Sequence, residues 1–363
     1  MLSNLFSTAL LAIATLQSHV SASPTDMVPR AAAVSHDGPQ VVVDPAGVYM
    51  RVTRLHDGSL LGGYAAGDGS NKVLRVTKST DEGTSWKVIG AVDSQPSVSH
   101  DLDNAFPLQL PGGRIVFAFR NHDLDGNKKP TYFRLTVCYS DDGGVSWKYL
   151  SQIDERAKNG VNGLWEPFLR NARDGSLQAY YSSENSGGDQ DNLMRISRDG
   201  GKTWSGPRPV SGVDRDGTRD GMTGVAEVND NGRLICVFEN TEAGYFTVDA
   251  VYSDDDGLTW QQGNRQRIYT AANRREAGAP SVINVGDTLV VDFMTNENTN
   301  TPQLDGGQMK VVTSTDGGKS WGGATVTGEA GSHWPGMVAL NNNGFLALYS
   351  QNGHGLVSQK YRV

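Results

Sequence analysis

Apolar residues along this chain fall in short runs of strand length, and a turn introduces each run. His56-Asp57-Gly58 precedes Ser59-Leu60-Leu61, and Pro111-Gly112-Gly113 precedes Arg114-Ile115-Val116. The same arrangement recurs at Arg173-Asp174-Gly175, Asp230-Asn231-Gly232, Val285-Gly286-Asp287 and Asn342-Asn343-Gly344. No long stretch carries the apolar spacing of an amphipathic helix. The pattern therefore predicts an all-β chain built from short hairpins.

Between these turns a second pattern, S-x-D-x-G-x-[ST]-W, occurs five times: Ser79 to Trp86, Ser140 to Trp147, Ser197 to Trp204, Ser253 to Trp260 and Ser314 to Trp321. In each copy the Asp can accept bonds from the amides of its own turn, and Gly supplies the positive φ that the turn needs. The Ser or Thr hydroxyl ties the loop further, and the Trp begins the next strand with its indole turned inward. The tryptophans are 61, 57, 56 and 61 residues apart, which is the period of one supersecondary unit repeated about an axis. Six turns against five boxes leave the last unit one strand short. Gln40-Val41-Val42-Val43, ahead of the first unit, can supply that strand and close the ring. The expected fold is a six-bladed β-propeller of four-stranded blades, each box joining the two outer strands. The boxes resemble the Asp box of the sialidase superfamily, and their Asp residues are expected at the outer edge with a structural role.

In a propeller the innermost strands line a central channel, and function gathers at one mouth. Residues about nine before each turn glycine and seven after it lie a strand length from the turn, at the opposite mouth. The first set is Tyr49, Asn104, Glu166, Thr223, Gly278 (aligned on Asp287) and Pro335; the second is Ala65, Arg120, Ser182, Glu239, Met294 and Gln351. Two carboxyls, Glu166 and Glu239, thus reach one mouth from neighbouring blades 3 and 4, with Arg120 beside them from blade 2. Taken singly, either Glu reads as a solvated strand end, Arg120 as an ion-pair partner, and Trp165 and Trp334 as core. Convergence favours chemistry, because close carboxylates raise each other's pKa and are costly unless used. Glu184 lies just past its strand and can still line the site. Glu227 falls short of the mouth. His100, Asp101, Asp103 and Asn104 enter blade 2 at the same mouth, and Arg51 lies two residues inside the first strand.

The rest of the composition narrows the class. Met1 to Ala22 reads as a secretory signal, with Leu5 to Leu16 too short to span a bilayer and Val20-Ser21-Ala22 as a cleavage site. Residues 23–38 are expected to be a mobile linker, in which Arg30 could mark a pro-peptide cut, and residues 39–363 the propeller. A net charge of −8 argues against nucleic acid or an anionic membrane as partner. Cys138 and Cys236 belong to non-adjacent blades and are expected as buried thiols, not a disulfide. No His cluster has metal-ligand spacing and no glycine-rich loop opens a helix, so no metal or cofactor is expected.

Val48-Tyr49-Met50-Arg51-Val52 resembles the sialidase arginine motif but lacks the Ile-Pro that follows it, and the mouth offers only Arg51 and Arg120 of an arginine triad. With Trp165-Glu166-Pro167-Phe168, five boxes and six blades, the mature chain looks like glycoside hydrolase family 93, the exo-α-1,5-L-arabinanases. The resemblance implies a secreted, retaining, monomeric exo-hydrolase that releases arabinobiose from the non-reducing end of linear arabinan. It places the acid/base on Glu166 and the nucleophile on Glu239. Trp165, Trp334, Tyr181 and Tyr349 are the candidate sugar platforms; Tyr49, Arg51, His100, Asp101, Asp103, Asn104, Arg120, Glu184, Asn240 and Gln351 are the candidate polar and flanking contacts. A sialidase, another exo-glycosidase of the same fold, and a non-catalytic propeller that binds protein or glycan remain as alternatives.

Overall fold

The computed structural model describes residues 31–228, 231–341 and 343–363. The expected signal segment, Arg30 and most of the expected linker lie outside the described residues. Five antiparallel sheets of four strands and one closing sheet form the blades. The innermost strands are Gly47–Arg54, His100–Gln109, Leu164–Asn171, Gly221–Glu227, Ala277–Val285 and Ser332–Ala339. Each touches the innermost strand of the next blade, and the last touches the first, so the ring is closed about one axis. One 3-10 turn, Ala272–Arg274, is the only helical element among the described residues.

The ring closes as the strand count requires. Val41–Asp44 pairs antiparallel with Gly355–Arg362, the third strand of blade 6, with Val41 opposite Ser358 and Val42 opposite Val357. Asp44 at its end accepts from Tyr64 Oη at 2.8 Å and from Arg75 at 2.7 Å, which ties the closing strand to blade 1. The end of the expected linker is also laid across blades 5 and 6. Ser35–His36 pairs with Tyr361 and Arg362, and Ala32 N donates to Thr313 Oγ1. These segments carry polar groups that the edge of the sheet satisfies, which is a reason for them to be ordered.

Apolar clusters fill the blade interfaces. Leu61, Leu74 and Val76 of blade 1 meet Ile115, Phe117 and Phe119 of blade 2, and similar groups recur at every boundary, including the 6–1 seam through Tyr64, Leu346 and Leu348. Cys138 and Cys236 are free, buried members of these clusters. The boxes behave alike. In the last, Ser314 Oγ donates to Asp316 at 2.8 Å, and Ser320 N and Oγ donate to it at 3.0 and 2.6 Å. Each box sits at the outer edge between the third and fourth strands, where these bonds hold the carboxylates well below the usual range, Asp199 and Asp316 at about 2.

Candidate active site

Each innermost strand breaks its pairing once, at the end away from the hairpin turn. The register skips between Val48 and Arg51, Asp103 and Phe106, Trp165 and Phe168, Gly221 and Gly224, Gly278 and Ser281, and His333 and Gly336. The first skipped residue is left-handed every time: Tyr49 (φ 56°), Asn104 (53°), Glu166 (48°), Met222 (55°), Ala279 (50°) and Trp334 (57°). None is glycine, and such backbone costs an L-residue about 1–3 kcal/mol. The bulges form a ring that aims these residues and their amides at the mouth.

The ring corrects the counting from turn glycines. Blades 1 to 3 close their hairpins over the same loop length, with Leu55 N to Ser59 O, Leu110 N to Arg114 O and Ala172 N to Ser176 O each 2.8 Å. Tyr49, Asn104 and Glu166 therefore fall where counting puts them. Blade 4 has one loop residue more, since Val228 N reaches Arg233 O, and Met222 replaces Thr223 in the ring. Blade 5 has one fewer, since Val285 pairs directly with Thr288, and Ala279 replaces Gly278. In blade 6 the left-handed position of the turn belongs to Asn343 (φ 59°), not Gly344, so Trp334 replaces Pro335. For the same reason Ser350, not Gln351, lies level with Arg120 and Glu239. Gln351 sits one step farther out and accepts from Gln40 Nε2 at 3.1 Å.

Side chains at the second-strand positions reach across to the bulge of the next blade. Ser182 Oγ accepts from Met222 N at 3.2 Å, Glu239 Oε2 from Ala279 N at 2.7 Å, and Met294 Sδ from Trp334 N at 3.3 Å. Gly278 leaves the room for Glu239: a Cβ there would lie 2.7 Å from Glu239 Oε2. Glu166 comes from the bulge itself. Burial and then repulsion from Glu239 push its carboxyl up to about 7, against the pull of Arg120 and the Ser182 hydroxyl. Burial also raises Glu239, while the Ala279 amide and Arg219 pull it back. The structure thus brings two partly buried carboxyls into electrostatic contact, one poised to hold a proton near neutrality and one seated on a backbone N–H.

Blade 2 supplies the charged flank. Arg120 pairs with Asp101 at 2.9 Å and Asp103 at 3.5 Å, and its guanidinium lies 5.2 Å from the Trp165 ring centroid. Asn104 is buried, and its Oδ1 has no partner. Trp165 rests against His122, whose Nε2 is 2.9 Å from Leu164 O. Burial lowers that imidazole to about 3, so it is a neutral packing group. His100 is out on the rim, with Nδ1 on Ser99 Oγ and Asp123 at 3.8 Å. Tyr49 is buried at the floor with Arg51 stacked 4.0 Å over its ring, and it is 6.4 Å from Trp334. Below them the axis holds a cavity of about 80 Å³ lined by residues of all six innermost strands, including Arg51, Glu166, Met222, Ser281 and Met337. A wider groove of about 360 Å³ runs from Trp334 past His333 and Asn352 to Pro45 and Gly47.

Other expected contacts are elsewhere. Tyr181 is fully buried between blades 2 and 3 with its hydroxyl on Asp154, so it offers no face to a sugar. Tyr349 is buried in the 5–6 cluster and accepts from Gln40. Both faces of a blade pack on its neighbours, so alternation only chooses the interface: Tyr181 enters the 2–3 cluster and its neighbour Tyr180 the 3–4 cluster. Asn240 is buried and donates to Asp220 at 2.5 Å while capping Glu242 N, a turn-building role. Glu184 lines the blade 3–4 rim in an ion pair with Arg219 at 2.8 Å and accepts from Gly163 N. Glu227 lies at the opposite rim, paired with Arg170 and Arg173. Counting passed over Met222 and Ala279 because the hairpin loops of blades 4 and 5 differ by one residue from those of blades 1 to 3. Among the described residues no cluster of His, Cys, Asp and Glu could hold a metal.

A model of the BNR repeat-like domain family matches residues 154–354. No curated protein sequence matches the chain. Among solved structures, the family 93 α-L-arabinofuranosidase of Fusarium graminearum, solved with arabinobiose, is similar with a TM-score of 0.69 and 20% identity over 92% of this chain and 98% of that one. The α-L-arabinanase of Penicillium chrysogenum, also with arabinobiose, gives 0.66 and 19% over 92% and 97%. The NanB sialidase of Streptococcus pneumoniae gives 0.57 and 12% over 91% and 70%. At these identities the likeness is one of fold.

Proposed function

Because the chain belongs to the BNR repeat-like domain family, whose propeller is shared by glycosidases of several specificities, we propose that it is a glycoside hydrolase acting by retention on α-1,5-L-arabinan. The observation that carries the reading is the pair Glu166 and Glu239, partly buried at one mouth within electrostatic reach of each other and in unequal environments. Glu166, held up to about 7, is the general acid and protonates the leaving O5. Glu239, seated on the Ala279 amide, attacks the anomeric carbon to form a glycosyl-enzyme. Water then enters, loses a proton to Glu166 and releases the sugar with its configuration retained.

The charge around the pair suits a neutral sugar. Arg120 is already shared between Asp101 and Asp103, and Arg51 is stacked on Tyr49 below the floor, so neither is free to grip an anionic substrate. The likeness to proteins solved with arabinobiose supports a furanosyl disaccharide as the released unit. We place the non-reducing end of the substrate in the groove leading from Trp334 and propose exo action. We further propose that the enzyme is secreted as a monomer by the Met1 to Ala22 segment.

Product analysis tests this. Linear arabinan should yield arabinobiose alone from the first minutes, with no action on a sialoside panel. A ladder of mixed lengths would show endo cleavage, and sialic acid release without arabinan cleavage would give the site to a sialidase.

A further inference from the structure

The first residue pair below each bulge can be compared around the ring. These pairs are Arg51 with Gly63, Phe106 with Ala118, Phe168 with Tyr180, Gly224 with Val237, Ser281 with Asp292, and Gly336 with Leu348. On the second strand, five blades place a small or largely apolar residue there. Only blade 5 places an acid, in the apolar run Leu289-Val290-Val291-Asp292-Phe293. Asp292 is 1% exposed. A buried carboxyl is costly unless its acceptors are used.

Asp292 Oδ1 accepts from Ser281 N at 3.0 Å and from Ser281 Oγ at 2.7 Å. Ser281 is the first paired residue after the Ala279–Pro280 bulge, and Ala279 N is the donor to Glu239 Oε2. The chain of contacts therefore runs from Asp292 through Ser281 and two bulged residues to the proposed nucleophile. Among the described residues no other bulge has a carboxylate bonded to the residue that follows it, and the one other bulge amide on a carboxylate, Asn104 N, is held at 2.8 Å by its own neighbour Asp103 and not by the preceding blade. Arg51, from blade 1, is the cation that offsets part of the cost of burying Asp292.

On the reading of Glu239 as nucleophile, we propose that Asp292 is a positioning residue: it locks the blade 5 bulge so that the Ala279 amide holds the Glu239 carboxylate in place. Asp292 touches no substrate. Removing it frees the bulge and weakens the N–H bond to Glu239. A carboxylate that loses a donor is less favoured in its charged form, so Glu239 must then titrate at higher pH.

The test is ¹³C NMR titration of glutamate side-chain carboxyls in the whole protein, wild type against Asp292→Leu and Asp292→Asn. In Asp292→Leu the Glu239 midpoint should rise while that of Glu166 stays in place. Asp292→Asn keeps an acceptor for Ser281 and should restore most of the wild-type midpoint. Should Asp292→Leu not fold, Ser281→Ala removes one of the two bonds and should move Glu239 in the same direction by less. An unchanged Glu239 midpoint in a folded variant overturns the proposal. This readout needs no turnover, so it stands apart from whether arabinan is the substrate. If the wild type is active, kcat on an aryl arabinofuranoside should fall between about tenfold and a hundredfold in Asp292→Leu, with KM little changed, as expected for a misplaced reacting group.

Discussion

Glu239→Gln is the perturbation that best probes how the pair divides its work. It removes the charge facing Glu166 and leaves an amide oxygen able to accept from Ala279 N. Glu166 lies at about 7 against an ordinary 4.5, a difference worth about 3 kcal/mol. Burial is the largest cause and repulsion from Glu239 the next, opposed by Arg120 and the Ser182 hydroxyl, so removing the Glu239 charge takes away the second-largest cause of the rise. The Glu166 carboxyl, followed by ¹³C NMR, should titrate near pH 7 in the wild type and at lower pH in Glu239→Gln. In the wild type the same group sets the alkaline limb of kcat/KM: activity is lost as pH rises through about 7 and the acid deprotonates. Activity is gained on the acid side as Glu239, itself raised by burial, ionises. A wild-type Glu166 midpoint near its ordinary value, or one that rises when Glu239 loses its charge, would refute the reasoning.

Two further outcomes follow from single contacts. Gly278→Ala puts a Cβ 2.7 Å from both Glu239 Oε2 and Leu304 Cδ2, so kcat should fall about tenfold or more while the melting temperature changes little, checked by steady-state kinetics and calorimetry. Asp316→Ala removes three bonds in the last box, which lie at a partly exposed edge, and should cost about 1–2 kcal/mol in denaturant unfolding with kcat unchanged on the folded fraction.

The architecture was legible because its determinants are local. Five boxes carry their own hydrogen-bond chemistry in the sequence, and a missing sixth box told where Val41–Asp44 had to go. The pair Glu166 and Glu239 was legible because strand length links turn to mouth. What escaped was set by loop length and by packing between blades. One loop residue more in blade 4 and one fewer in blade 5 moved Met222 and Ala279 into the ring, and Asn343 stood in for a turn glycine in blade 6. Tyr181 and Tyr349 share strands with mouth residues yet point into blade interfaces. Asp292 left a trace, a lone acid in an apolar strand, but its contact with Ser281 depends on the bulge beside it. Bulges at Tyr49, Glu166 and Trp334 are imposed by packing around the axis, since none of these residues favours left-handed backbone.

The assignment of roles to the two carboxyls is tested most directly by azide rescue with an activated aryl arabinofuranoside, reading the anomer formed by NMR. With Glu166→Ala the glycosyl-enzyme still forms on Glu239, and azide should displace it to give a product of retained configuration. With Glu239→Ala azide replaces the nucleophile itself and should give the inverted anomer. Inverted product from Glu166→Ala and retained product from Glu239→Ala would exchange the roles, and near-wild-type rates on arabinan in both variants would contradict the site altogether.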